Sequence, residues 1–217
     1  MSKTPPLPAL DYAGLFSDPR MFDSSETLTR AGFTLVKRRS SDESIMVVSH
    51  PSVPSCLFKK FGRCVDRGAQ RENYRARVRG ADEIRSLIAE YRLDRLVVVH
   101  KWIYELPPPF REHKRCPELL VVERLDLLSK KASNKRYRAI DPVTLVQLCR
   151  VLHAFSGLDA AIHNLRFTTS GQVAFFDTES WDRSPRPFDR VFKYLREQLT
   201  RKSMKIAERT FDRLDDE

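Results

Sequence analysis

The sequence predicts an α+β protein in which a strand-rich first part is followed by a helical second part. Three observations predict this class. Five short runs rich in β-branched and aromatic residues occur before residue 128, an amphipathic helical repeat separates the third run from the fourth, and helical periodicity dominates from residue 142 onward. The 217 residues suffice for one domain or two small lobes. We therefore expect a five-stranded antiparallel sheet with one main helix, then a smaller helical part.

The first strands follow a Pro- and Ser-rich N-terminal extension, residues 1–28, in which Ser25 is placed to cap a short helical turn. Residues 32–39 and 44–50 carry β-branched residues and are joined by a polar run, which is typical of a hairpin. Prolines then punctuate the chain before a third strand at 55–61.

The main helix of the first part is predicted between residues 63 and 92. Its apolar residues repeat at helical spacing on one face: Ile84, Leu87, Ile88 and Tyr91. Gly80 is predicted to break this region into two helical pieces. Residues 95–107 predict a fourth strand, and residues 118–128 a fifth that is buried on both faces near its end.

The second part opens with a basic segment, residues 129–138, which is interpreted as a linker. Asp141 followed by Pro142 predicts a helix start, with an N-cap and a proline at the first helical position. The helix that follows is apolar around most of its circumference, so we expect it to be buried. Gly157 is predicted to end it.

Two short strands, 165–168 and 172–176, are joined by a Ser-Gly turn and end at Asp177. One long amphipathic helix, or two helices, then completes the chain. The predicted division into parts is an N-terminal extension (1–28), a first lobe (29–125) and a second lobe (126–217).

Composition restricts the class of protein. Lys and Arg number 39 against 29 Asp and Glu, and the net charge of +10 favours polyanionic partners. Seven glycines are too few to favour a glycine-rich phosphate loop, and the four cysteines lack zinc-ligand spacing, so we expect free thiols in a reducing cytoplasm. The sequence has no apolar run of membrane-spanning length and no classical signal peptide.

The clearest chemical pattern lies in the second part. Asp159 and Asn164 are five positions apart, and Asp177 closes the hairpin that follows. Because a hairpin brings its two ends together, Asn164 and Asp177 are expected at the same end. A carboxylate and an amide oxygen suit Mg²⁺. Asp159 is then left to accept a proton from a hydroxyl nucleophile.

This stretch resembles the catalytic loop of protein kinases, H-R-D-x-x-x-x-N, and the D-F-G segment that follows it. The spacing from Asp to Asn and the hairpin before the second Asp are the same. The resemblance implies a two-lobed protein-kinase-like fold with a truncated helical C-lobe, which binds ATP and Mg²⁺. It further implies that Asp159 is the catalytic base and that Asn164 and Asp177 bind the magnesium.

The resemblance covers about residues 29–181. The third strand, LFKKF, resembles the kinase strand that carries the phosphate-binding lysine, which implies a catalytic and nucleotide-binding role for Lys59, with Lys60 as the alternative. The helix glutamate that pairs with this lysine would be Glu72, judged by its distance from Lys59, or Glu83, judged by its distance from the fourth strand.

The end of the fifth strand resembles the kinase hinge. The resemblance implies that the backbone of Glu123 and Leu125 holds adenine. The phosphates would be covered by the polar run between the first two strands, where Ser40 and Ser41 can donate hydrogen bonds.

Several positions depart from the kinase pattern. Gly157 and Leu158 replace the His and Arg of H-R-D, and D-T-E replaces D-F-G. Ala161 stands where kinases usually carry a lysine, so Arg166 becomes a candidate for stabilising phosphate charge. Only 38 residues follow Glu179, which leaves no room for a full peptide-docking lobe.

The brevity and the D-T-E variant resemble the small kinases that some bacteria deliver into host cells. The expected function is an atypical minimal protein kinase that transfers the γ-phosphoryl group of ATP to a protein hydroxyl, with Ser or Thr favoured over Tyr. The protein substrate would be recognised by tertiary docking, and would be a host protein in the effector case. The expected location is the cytoplasm, or a host cytoplasm.

Two alternatives stay open. The loss of H-R, of F-G and of the glycine loop is also typical of a pseudokinase-like binding module without phosphotransfer. The charge of +10 is typical of a basic nucleic-acid-binding protein. The sequence disfavours the latter, because it lacks basic strands interleaved with aromatic residues and lacks a helix-turn-helix pattern.

Overall fold

The computed structural model describes residues 7, 12–22, 24–38, 46–60, 67–108, 117–179 and 187–216. The predicted phosphate donors Ser40 and Ser41, and two of the cysteines, Cys64 and Cys116, lie outside these ranges. The chain divides into two compact units, one formed by residues 4–78 with 100–124 and the other by residues 79–99 with 125–217.

The helices and strands are α1 (Tyr12–Leu15), α2 (Ser25–Arg30), β1 (Thr34–Arg38), β2 (Met46–Ser49), β3 (Cys56–Lys60), α3 (Arg67–Glu90), β4 (Leu96–Val98), β5 (Lys101–Glu105), β6 (Glu118–Glu123), α4 (Lys130–Arg138), α5 (Pro142–Ala154), β7 (Leu165–Phe167), β8 (Val173–Phe175), α6 (Phe188–Val191), a 3₁₀ turn (Arg196–Gln198) and α7 (Arg201–Asp215).

The first unit is built on the predicted five-stranded antiparallel sheet, in the order β1-β2-β3-β6-β5. The register pairs Lys59 of β3 with Val47 of β2 on one side and with Leu120 of β6 on the other. Because neighbouring residues of a strand point to opposite faces, this register fixes which side chains share each face of the sheet.

One face of this sheet is covered by the N-terminal segment, through a set of rings that we call the aromatic cluster: Tyr12, Phe16, Phe22, Phe33, Phe58 and Tyr104. Phe16 lies at its centre and is fully buried. Its ring centroid lies 5.4 Å from that of Phe58 in β3 and 5.8 Å from that of Tyr104 in β5. Residues 12–22 of the predicted extension therefore belong to the core of the first unit.

Two local predictions in the first part are wrong. Ser24, not Ser25, caps α2: its hydroxyl accepts the N–H of Thr27, and the Thr27 hydroxyl accepts the N–H of Ser24 in return. The helix α3 runs without a break from Arg67 to Glu90, and Gly80 is buried inside it. The cost of a glycine in a helix interior, about 1 kcal/mol, does not interrupt a helix that packs along its length.

The second unit contains a three-stranded sheet in the order β4-β8-β7, in which β4 is parallel to β8 and β7 is antiparallel to it. The predicted hairpin is therefore confirmed, and Gly171 occupies its turn at φ 96°, a backbone angle that favours glycine. The predicted single strand over 95–107 is wrong. The chain leaves one sheet after Val98 and enters the other at Lys101.

The helix α5 begins as predicted. The carboxylate of Asp141 accepts the backbone N–H of Thr144 at 2.9 Å and its hydroxyl at 2.6 Å, and Pro142 takes the first helical position. The helix ends at Ala154 rather than at Gly157, which lies in the following turn. Its inner face is buried in the core of this unit, and it packs against α7.

The predicted basic linker is also wrong, because residues 130–138 form the helix α4. Ser129 caps it by accepting the N–H of Ala132 at 3.2 Å. Tyr137 fastens it to the core: its ring is fully buried and its hydroxyl donates to the carbonyl of Leu165 at 3.1 Å. Burial raises the pKa of Tyr137 well above its usual value.

Cys56 and Cys149 are buried free thiols, and burial raises the pKa of Cys149 to about 12. Across the described ranges, no helix combines the length and the apolarity that a transmembrane segment needs.

The N-cap of α5 supports a quantitative prediction. Replacing Asp141 with Ala should lower the free energy of unfolding by about 1 kcal/mol at pH 7, because two hydrogen bonds at the start of the helix are lost. Desolvation raises the pKa of this carboxyl, but the hydrogen bonds from Thr144 outweigh it and leave the pKa below its usual value.

A depressed carboxyl pKa stabilises the folded state at neutral pH and loses this effect as the pH falls through the folded-state pKa. The difference between wild type and Asp141→Ala should therefore shrink below about pH 4. Urea unfolding at pH 7 and pH 3 measures both values. Asp212→Ala, at an exposed position of α7, is the control, and an equal loss in the two variants would contradict the capping role.

Candidate functional site

The loop after α5 brings the two predicted catalytic-loop residues together. The amide nitrogen Nδ2 of Asn164 donates to the carboxylate oxygen Oδ2 of Asp159 at 2.9 Å. The other oxygen, Oδ1, accepts the backbone N–H of Ala161 at 3.0 Å. Asp159 is exposed and Asn164 is buried, so the carboxylate faces solvent in an orientation fixed by two donors.

The loop is held by the apolar residues on both sides of Asp159. Leu158, Ala160 and Ala161 are buried, whereas Asp159 is exposed between them. Leu158 packs into the core of this unit. It therefore anchors the loop next to Asp159.

Backbone hydrogen bonds tie Asn164 to the end of the hairpin. The carbonyl oxygen of Asn164 accepts the N–H of Phe176 at 3.1 Å, and its own N–H donates to Ala161 at 2.8 Å. Asp177 follows Phe176 directly and is half-buried. The structure thus places Asn164 and Asp177 at the same end of the β7–β8 hairpin.

The donor set is compatible with a magnesium ion. Because Nδ2 of Asn164 is engaged with Asp159, its amide oxygen points the other way and is left for a ligand. Asp177 supplies a carboxylate at the same end of the hairpin. The described residues contain no group of three or more His, Cys, Asp or Glu side chains that could hold a metal. A bound Mg²⁺ would therefore depend on these two groups together with water and phosphate oxygens.

Arg166, the sequence candidate for phosphate stabilisation, lies in β7. Its Nη2 donates to the carbonyl of Leu128, in the segment after β6. Its Nε is buried, with no hydrogen-bond partner in the described part of the chain. The guanidinium is thus held by the backbone of its own unit.

In the first unit, the two candidate lysines lie on opposite faces of the sheet. Lys60 is 3% exposed; its Nζ donates to the carbonyl of Glu118 at 2.7 Å and lies 5.8 Å from the ring of Phe22. It therefore belongs to the face that carries the aromatic cluster. Lys59, the adjacent residue, is half-buried on the other face, next to Leu120.

The ion pair on the Lys59 face joins an arginine of α3 to a glutamate of β6. Arg71 contacts the Oε1 oxygen of Glu118 through Nη2 at 2.7 Å and through Nε at 2.8 Å. Sequence reasoning missed this pair and considered Glu72, the exposed neighbour of Arg71, and Glu83, about three turns further along α3. An acid directly before the apolar run 119–122 was the signal for Glu118.

The predicted adenine contacts lie around the end of β6. The backbone N–H of Glu123 donates to the carbonyl of His100 at 2.9 Å, and its carboxylate accepts the N–H of His100 at 3.0 Å. A ligand contact from the backbone of Glu123 therefore falls to its carbonyl oxygen. Leu125 is half-buried two residues later.

No family model matches the chain, and no curated protein matches it. The candidate site is therefore supported by the geometry of Asp159, Asn164 and Asp177.

Proposed function

We propose that the protein is an ATP- and magnesium-dependent phosphotransferase of the protein-kinase type, which phosphorylates a protein hydroxyl, with Ser or Thr favoured over Tyr. One observation carries the proposal: an exposed carboxylate, Asp159, is oriented by the amide of Asn164, and Asn164 is itself tied to the strand end that bears Asp177. This arrangement separates a proton acceptor from a pair of oxygen donors suited to a cation.

Each residue of this unit has a chemical role in the proposal. The carboxylate of Asp159 accepts the proton of the substrate hydroxyl as the new O–P bond forms and the bond to the leaving ADP breaks. The amide oxygen of Asn164 and the carboxylate of Asp177 hold the cation. When bound, Mg²⁺ neutralises charge on the phosphate oxygens.

Lys59 is the proposed phosphate-binding lysine of the first unit. The ammonium of Lys60 is buried against the carbonyl of Glu118 on the face that carries the aromatic cluster. Lys59, by contrast, lies on the face of the Arg71–Glu118 ion pair and keeps part of its side chain accessible. This difference favours Lys59 over Lys60.

The proposal is tested by adding Mg·ATP to wild type and to Asp177→Ala. At a ligand concentration 100 times the Kd, the melting temperature of wild type should rise by about 5–10 °C. This shift, and the transfer of labelled γ-phosphate to protein, should be lost in Asp177→Ala. Asp126→Ala, which removes an exposed carboxylate of the same unit, should retain both.

The two readouts separate the possible functions. A thermal shift without phosphate transfer, tested on a broad mixture of protein substrates, would favour the pseudokinase-like binding module. Absence of both in wild type would overturn the proposal.

A further inference from the structure

The helix α4 carries a basic surface that the proposed phosphotransfer does not use. Four cations and one amide fall within an arc of about 140° on one side of the helix, given 100° per residue. We call this the α4 basic face: Lys130, Lys131, Asn134, Lys135 and Arg138. Its four cations are exposed, and α4 contains no acidic residue.

The opposite side of α4 is fastened to the core, so the basic face has a fixed orientation. Tyr137 and Ser133 are fully buried, and the Tyr137 hydroxyl donates a hydrogen bond to the carbonyl of Leu165. The guanidinium of Arg136 lies 5.2 Å from the ring centroid of Phe167. The helix therefore presents its cations from a rigid support.

The cations of this face have no acidic partner within the part of the chain that the structure describes. By contrast, Arg71, Arg85 and Arg196 each pair with a carboxylate. Lys130 and Lys131 also occupy the first turn of the helix, where the helix dipole disfavours positive charge. Helix stability therefore does not account for their placement, whereas binding of an anionic partner would.

A concave surface lies along the same residues. A groove of about 920 Å³ is lined, among the described residues, by the N-cap of α4 and six residues of the helix: Ser129, Lys130, Lys131, Ala132, Asn134, Lys135 and Arg138. The aliphatic stems of the lysines line such a groove while their ammonium groups reach its rim.

We propose that this groove binds an acidic peptide segment of a partner protein. The cations extend over about 12 Å of helix, and Lys131 and Lys135 are about 6 Å apart along its axis. Carboxylates four residues apart on a helix, or two apart on a strand, have nearly the same spacing. A short run of Glu and Asp therefore matches the face along its length.

Two features favour a peptide over nucleic acid. The one aromatic side chain of α4, Tyr137, is fully buried, so the groove lining offers no ring on which bases of a single strand could stack. A duplex accepts a protruding helix into its major groove, whereas the α4 basic face lines a groove of its own.

The proposal is tested by direct binding, so its outcome is independent of the proposed catalytic function. The probe is a fluorescein-labelled peptide of ten glutamates, titrated with the full chain at low salt and followed by anisotropy. Lys131→Glu combined with Lys135→Glu should weaken binding about tenfold or more. A peptide of ten glutamines should not bind.

The matched control reverses two cations of the same spacing on another exposed helix face. Arg201→Glu combined with Lys205→Glu makes the same change of charge on α7, which also contains acidic residues. This control should retain wild-type binding within about twofold. Equal weakening in both double variants would show attraction to net charge alone and would overturn the proposal.

The proposal would also be overturned if wild type failed to bind the glutamate peptide. It would likewise be overturned if wild type bound a 20-base-pair DNA duplex more tightly than the peptide and the α4 variant no longer bound that duplex. Circular dichroism checks that the α4 variant is folded. If it is not, Lys131→Gln combined with Lys135→Gln replaces it, because glutamine keeps the helix propensity of lysine.

Discussion

Replacing Phe16 with Ala should lower the free energy of unfolding by about 3–5 kcal/mol, the usual cost of removing a buried phenyl ring. Phe16 is fully buried, and its ring contacts four other rings of the aromatic cluster at centroid distances between 5.4 and 5.9 Å. The truncation leaves a cavity between the N-terminal segment and the sheet. Urea unfolding followed by fluorescence measures the loss.

The matched control removes an aromatic ring from the surface. Tyr194 is 53% exposed, and Tyr194→Ala should change the free energy of unfolding by less than about 0.5 kcal/mol. Similar small effects at both positions would show that the segment around Phe16 does not contribute to the core. A large effect at Phe16 alone would show that the N-terminal segment contributes to the core of the first unit.

Replacing Asp159 with Asn should reduce the rate of phosphate transfer by about 10²- to 10⁴-fold, the usual contribution of a general base. An amide of nearly the same shape can still accept the N–H of Ala161, but it cannot take up the proton of the substrate. Single-turnover transfer from labelled ATP measures the rate. Binding of Mg·ATP, measured by thermal shift, should be weakened but not abolished, because the new amide no longer accepts a hydrogen bond from Nδ2 of Asn164 whereas the carboxylate of Asp177 is kept.

The control for this variant lies in the same loop. His163 is exposed between Asp159 and Asn164, and His163→Ala should retain activity because its side chain has no role in the proposed site. A variant Asp159→Asn with undiminished transfer would exclude this carboxylate as the base, even if the protein proves to be a kinase.

Elements with a complete local signal were predicted correctly from the sequence. The cap formed by Asp141 with Pro142 gives the start of α5, because both groups act within one helical turn. The five-stranded sheet follows from β-branched runs separated by turn residues, and the β7–β8 hairpin from the Ser-Gly turn that contains Gly171.

Elements defined by distant contacts were predicted wrongly. The apolar run over 95–107 is continuous in sequence, but its two halves pair with different strands, β8 and β6. The segment 129–138 is too polar to suggest a buried helix. Only the burial of Ser133 and Tyr137, one turn apart, shows that it packs. Local sequence patterns do not reveal the strands that pair with residues 95–107 or the core on which residues 130–138 pack.

The candidate site likewise combines features that local sequence predicts with features that depend on distant contacts. The placement of Asn164 and Asp177 at one end of the hairpin was predicted from the turn between them. The hydrogen bond between Asn164 and Asp159 was not predicted. The choice between Lys59 and Lys60 depends on strand register, which a run of two lysines does not reveal. The Arg71–Glu118 pair joins residues 47 positions apart, on elements whose pairing no local pattern encodes.

The parallel pairing of β4 with β8 determines whether the chain can be expressed as two separate fragments. The natural place to cut the chain is after β6, yet a fragment that begins at residue 125 would lack β4 and would leave β8 as the edge of a two-stranded hairpin. The complementary fragment would carry Ile84, Leu96 and Val98 without the core that buries them. Either fragment expressed alone should therefore be insoluble. Co-expression of the two fragments in one cell should restore solubility, whereas mixing them after separate expression should not.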